Sequence, residues 1–111
     1  MIDEATFRHV SDAALEALKQ SLIDAEEEGG FEAEEKNGVL NVLFEDGSAK
    51  FVFTPQTPVR QIWISARTTS FKLEWSESHN AFLLAKTGET LKTLTQRLLR
   101  EHLDNALICL N

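Results

Sequence analysis

Cysteine is nearly missing from this chain. Cys109 stands alone, which excludes an internal disulfide and leaves no second thiol for a Cys-x-x-Cys redox or zinc motif. That usage suits a reducing compartment. Long apolar runs are missing too: the longest spans about six residues, against the roughly twenty that a membrane-crossing helix needs. The opening Met1-Ile2-Asp3-Glu4 has neither the basic start of a secretory signal nor an Arg-rich transit pattern, so a soluble, cytoplasmic protein is expected. With two prolines, five glycines and no low-complexity stretch, the 111 residues read as one globular domain spanning 1–111. Such a chain buries about two-thirds of its unfolded surface, enough for an ordinary core without staples.

Catalytic signatures are equally scarce. His9, His79 and His102 show no spacing that sets two imidazoles on one metal, and surface positions are expected for all three. No serine or cysteine has a nucleophile context and no glycine-rich phosphate loop occurs, so hydrolase, kinase and dinucleotide chemistry are unsupported. An enzyme is not expected.

Basic residues are scarce in one region above all. Residues 1–35 hold eleven Asp or Glu against two basic side chains, whereas the remaining 76 residues carry seven acids and nine bases, giving the overall −7. Nearly all the negative field therefore comes from one third of the chain. Nucleic acid and anionic membrane are excluded as partners, and a hard cation or a basic protein surface is favoured.

From about Ala5 to Glu26, Phe7, Val10, Ala14, Leu18, Leu22 and Ala25 recur at steps of three and four, with Leu15 widening the stripe. The spacing predicts an amphipathic helix capped by Asp3 or Thr6 and stopped at Gly29-Gly30. Its outer face aligns Asp12, Glu16, Lys19 with Gln20, Ile23 and Glu27, an acidic ridge interrupted at its middle. After Gly30 the period becomes two, and Glu32 and Glu34 leave the same face of a strand. Asn37-Gly38 and Asp46-Gly47 are hairpin signals that separate strands near 31–36, 39–45 and 48–54. Thr54 to Pro58 is expected to end the pairing, because proline supplies no ladder donor. Strands at 61–66, 70–75 and 80–86 follow, then a helix capped by Thr87 or Thr90 and running to about His102. Leu107 to Leu110 is too apolar for solvent and should dock between the helices. The order predicts an α+β two-layer sandwich, α-β-β-β-β-β-β-α, with two helices on one face of an antiparallel sheet of five to six strands. The other sheet face is left to water.

The run Gln56-Thr57-Pro58-Val59-Arg60-Gln61-Ile62-Trp63-Ile64-Ser65 resembles the signature strand of the frataxins, N-x-Q-x-P-x-x-Q-[IV]-W-[LI]. Asn37-Gly38-Val39-Leu40, Phe44-Glu45-Asp46-Gly47-Ser48, Trp75 and Thr87-Gly88-Glu89-Thr90-Leu91 follow the family's order, and the likeness spans roughly residues 5–103. The chain is most similar to the bacterial, CyaY-type branch. Thr54 stands in place of the signature asparagine, Phe82 where a second tryptophan is common, and Lys19, Gln20 and Ile23 where relatives usually keep acids.

The resemblance implies the two-helix-on-sheet fold and an acidic protein that binds Fe²⁺ or Fe³⁺ weakly through surface carboxylates. It implies a role in iron–sulfur cluster assembly, as regulator or iron supplier, docking on the cysteine desulfurase and meeting the scaffold protein. The positions carried over are Asp12, Glu16, Asp24, Glu26, Glu27, Glu28, Glu32, Glu34 and Glu45. A monomer is expected, with iron-dependent oligomers as the alternative.

Spacing alone is compatible with this chemistry, since carboxylates at i, i+3 and i+4 converge on one cation with little selectivity. Crowding Glu26, Glu27 and Glu28 at a helix C-terminus is also unfavourable unless a cation or basic partner neutralises it. Trp63 alternates with Ile62 and Ile64, which places its indole on the open sheet face beside Gln61, either exposed or covered by Arg67 or Lys72. With the family likeness, Gln61, Trp63 and Lys72 are expected to contact a partner. Two alternatives stay open: a metal-independent acidic interaction module, and a weak ferroxidase, for which the Glu-x-x-His pairs of di-iron proteins are missing.

Overall fold

The computed structural model describes residues 2–47, 50–66 and 68–110, apart from the side chain of Glu28. Helix α1 spans Glu4–Ala25 and is followed by a 3-10 turn at Glu26–Glu28. Six strands follow in sequence: β1 Phe31–Lys36, β2 Val39–Phe44, β3 Lys50–Gln56, β4 Gln61–Ala66, β5 Thr69–Ser76 and β6 Ala81–Leu83. Helix α2, Leu91–Leu103, closes the order. The strands pair antiparallel in chain order, β1-β2-β3-β4-β5-β6, so the architecture is the expected two-layer α+β sandwich.

Each boundary has a local cause. Asp3 caps α1, its carboxylate accepting from the Thr6 amide at 2.7 Å. Gly29, at φ 82°, ends the 3-10 turn in a backbone region that glycine alone enters freely. Asn37 and Gly38 both take positive φ, as a two-residue type I′ hairpin requires, and set Lys36 opposite Val39. Thr90, not Thr87, caps α2, accepting from the Thr93 amide.

Period-two alternation puts Leu40, Val42, Phe44, Phe51, Phe53, Ile62, Ile64 and Leu73 on one sheet face, all buried. The helices cover that face with Phe7, Leu15, Leu18 and Leu22 from α1 and Leu91, Leu94, Leu98 and Leu99 from α2. Phe7 meets Phe82 edge-to-face at 5.9 Å, fixing the start of α1 over β6. Ser11, Ser21 and Thr95 are buried as well; Ser11 and Thr95 donate to carbonyls of their own helices, at Arg8 and Leu91.

Three expectations need correction. Pairing does not stop at Thr54: Pro55 pairs with Ile62 and Gln56 with Gln61. The β2–β3 ladder ends earlier, at Leu40 and Phe53, so Pro55 has β4 on one side only and its missing donor is tolerated there. Strand β6 ends at Leu83, not residue 86, because Leu84 turns out of the sheet, donating to Glu89 and accepting from the Thr87 and Gly88 amides. His102 is half-buried instead of fully at the surface: its ring lies 4.0 Å from that of Phe44 and 5.6 Å from that of Phe51. The C-terminal segment docks along α2, where Arg100 donates to the Ile108 carbonyl at 2.7 Å and the Leu110 amide donates to Gln96 at 2.8 Å. Ile108 and Leu110 are buried, whereas Leu107 and Cys109 are exposed. The expected start of β3 at residues 48 and 49 lies outside the described residues.

Candidate functional site: an acidic sheet edge and an open sheet face

Strand β1 is one edge of the sheet, and α1 packs beside it. Gly30 joins the two elements. A Cβ there would meet a Leu103 methyl at 3.1 Å, so a side chain would require that leucine to shift, and the backbone at φ 92° favours glycine. The Gly30 carbonyl accepts from the Glu45 amide at 3.1 Å, which ties the β2–β3 turn to the end of α1. Asp24, Glu26, Glu27 and Glu45 are thereby gathered around one corner, and the Glu28 backbone lies in the same 3-10 turn. No basic residue occupies the last turn of α1, so the helix dipole and the carboxylates reinforce one negative field.

Phe31 and Ala33 turn towards the core, which sends Glu32 and Glu34 to the face away from the helices. Glu35 shares the helix side with Phe31, and its carboxylate meets the Lys19 ammonium of α1 at 3.8 Å. The acids therefore line both faces of the edge instead of one helical stripe. Asp12 and Glu16 stand on the exposed side of α1 before Lys19, with Glu16 accepting from Gln20 at 3.3 Å. Ile23 is 38% exposed at the break in the ridge. Among the described residues no three Asp, Glu, His or Cys side chains form a group that could hold a metal ion. Exposed carboxylate oxygens suit a hard cation held loosely as cargo more than a resident metal centre.

The second surface is the open face of β3, β4 and β5. Trp63 pairs across the sheet with Thr54 and Lys72. Its indole N–H donates to the Gln61 side chain at 2.7 Å, and the Lys72 ammonium sits 4.8 Å from the ring centroid. Both sequence readings of Trp63 thus hold in part: the ring is on the open face, half-buried, with a cation over it. A shallow cavity of about 190 Å³ adjoins it, floored by Val52 and bordered by Thr54, Gln56 and Ser70. Arg67 lies outside the described residues.

Two groups were not legible as partners in the sequence. Arg97 grips Glu89 through two hydrogen bonds of 2.8 and 3.0 Å and also reaches Glu101 at 3.2 Å. These bonds hold the Glu89 carboxyl below its ordinary value and the Arg97 guanidinium above its own. The Arg97–Glu101 pair follows i, i+4 spacing; the Glu89 contact crosses a turn that periodicity does not describe.

With this geometry in place, comparison with known proteins is direct. Residues 1–105 match the frataxin-like domain, and the chain belongs to the frataxin family. Among its relatives, the iron-sulfur cluster assembly protein CyaY of Pseudomonas putida is 32% identical over 102 residues, covering 90% of this chain and 88% of that protein. The protein of that name from Azotobacter vinelandii is 30% identical over 108 residues, covering 96% and 94%. The solved structure of frataxin from Psychromonas ingrahamii superposes with a TM-score of 0.72 over 91% of both chains at 16% identity, a likeness of fold. The resemblance carried by Gln56–Ser65 is thus confirmed over nearly the whole chain. No helix among the described residues is long and apolar enough to cross a membrane.

Proposed function

We propose that this chain serves iron–sulfur cluster assembly, the role for which its relatives are named, and that it does so in the cytoplasm by docking its acidic edge on the cysteine desulfurase and meeting the scaffold protein. The observation that carries this reading is the corner at Gly30, where α1, β1 and the Glu45 turn converge with acids and no basic residue in the helix's last turn. Such a surface attracts a basic partner over about a Debye length and sets the rate and register of docking. Iron enters as weakly bound cargo on Asp24, Glu26, Glu27, Glu28, Glu32, Glu34 and Glu45, with Asp12 and Glu16 further along the helix. Gln61, Trp63 and Lys72 form a second partner contact on the open face. The reading assigns the chain no turnover of its own: exposed carboxylates on one edge lack the facing-helix ligands of di-iron oxidases.

An anaerobic Fe²⁺ titration followed by backbone amide resonances, with Mg²⁺ in excess to occupy unselective carboxylates, tests the metal part. Broadening confined to residues near 24–35 and 45 is expected. Unchanged spectra at millimolar iron would leave the edge a purely protein-binding surface. That second reading draws support from Lys19, whose ion pair with Glu35 neutralises the middle of the edge.

A further inference from the structure

The two edges of the sheet are built differently. Strand β1 exposes an edge in which Glu32, Glu34, Glu35 and Lys36 are charged, a composition that discourages strand addition. At the other side β6 has three residues and pairs with β5 only over Glu74–Ser76. The first five residues of β5, Thr69–Leu73, are paired with β4 on one side. On the other side, among the described residues, they have no strand partner, because the chain has already turned away at Leu84. Alternate residues of a strand direct their N–H and C=O groups to such an open edge.

The space left by the departing chain is a groove of about 540 Å³. Phe71 and Leu84 provide apolar wall, Thr87 a hydroxyl, and Lys72, Lys86 and Arg97 the charged rim. Arg97, paired to both Glu89 and Glu101, forms with them a cluster that carries one negative charge, and Lys72 and Lys86 bring the groove to a net single positive charge. Lys86 has no ion pair among the described residues. In a chain of net charge −7 this is a local positive groove beside unpaired backbone.

We infer that the open edge of β5, over Thr69–Lys72, is a docking groove for an extended acidic segment of a partner protein, which adds to the sheet as a further strand. Backbone pairing supplies affinity, Phe71 and Leu84 take an apolar side chain, and Lys72 and Lys86 select the charge. The groove lies at the far side of the sheet from the acidic edge and needs no metal, so its failure leaves the docking of that edge intact; Lys72 is shared with the open-face contact, and Lys86 is the residue that tests the groove alone.

The probe is a short synthetic peptide of alternating Glu and Val, titrated into the full chain while amide resonances are followed. Shifts confined to Thr69–Lys72 and Leu84–Thr87 are expected. The same peptide with a central proline, which removes a ladder donor, should bind far more weakly. Lys86→Glu, in an exposed turn, should weaken binding about five- to tenfold, while Lys36→Glu, the same charge change on the opposite edge, leaves it unchanged. Equal binding of the proline peptide, or of a Lys and Val peptide, would overturn the proposal, as would shifts located elsewhere. Edge resonances that move with protein concentration alone would assign the groove to a second copy of the chain and overturn it too.

Discussion

Lys19 on α1 and Glu35 on β1 form an ion pair, 3.8 Å apart, that bridges the helix and sheet layers in the middle of a predominantly acidic edge. The pair divides the carboxylates: Asp12 and Glu16 lie before it along α1, and the Gly30 corner lies beyond its end. Lys19→Glu should therefore join the two acidic regions into one. Stability should fall by about 0.5–1 kcal/mol, as for a partly exposed pair, while affinity for a basic partner or a divalent cation rises. Denaturation midpoints with and without millimolar Mn²⁺ measure both, and a variant of unchanged cation response would show that Lys19 does not divide the surface.

Trp63 gives a local reporter for the open face. Its indole N–H is held by Gln61 and its ring is covered by Lys72. Gln61→Ala should accelerate exchange of that indole proton, and Lys72→Ala should expose the ring, each costing about 0.5–1 kcal/mol or less. The indole resonance of Trp75, packed on Phe82 at 5.2 Å, should stay in place and serves as the internal control.

The Glu89–Arg97 grip predicts a specific acid response. Because folding lowers the Glu89 carboxyl from its ordinary 4.5, the stabilisation is complete above that pH and is lost as pH falls through the lowered value. Asp3, lowered by its bond to the Thr6 amide, acts in the same direction. Arg97 stays charged throughout. Glu89→Gln should cost about 1 kcal/mol at neutral pH, and its stability curve should be flatter than that of the parent below pH 4.5. Parallel curves would show that the grip is energetically silent.

Gly30 is the structural hinge of the acidic corner. Gly30→Ala places a Cβ at 3.1 Å from Leu103 and forces an L side chain to φ 92°, so a loss of about 1–3 kcal/mol is expected. The Leu103 methyls and the Glu45 amide should report the change by chemical shift. Gly38→Ala, which meets nothing within 4 Å, should cost only its backbone strain.

Most of the architecture was legible because each element announces itself over several residues. The three-and-four spacing of Phe7 to Ala25 yields α1 to within a residue or two, and Asn37-Gly38 yields the first hairpin. What the sequence hid depends on neighbours. Pro55 remains in β3 because β2 has already ended, and β6 is short because Leu84 bonds to Glu89 and Gly88; neither fact is local. His102 reads as polar by type, yet it completes an aromatic stack with Phe44 and Phe51 from two distant strands. For the site, alternation correctly placed Trp63 on the open face. The helical-wheel line of acids did not anticipate that Glu32 and Glu34 turn to the opposite sheet face from α1, or that Lys19 reaches across to Glu35.

The most direct test of the proposed role is the affinity of this chain for a purified cysteine desulfurase across a salt series, with the parent compared with a variant carrying Glu26→Lys and Glu27→Lys. Docking through the acidic edge predicts affinity that falls steadily as salt rises and is lost in the charge-reversed variant at every salt concentration. Affinity indifferent to salt and unchanged by the reversal would contradict the edge as the docking surface.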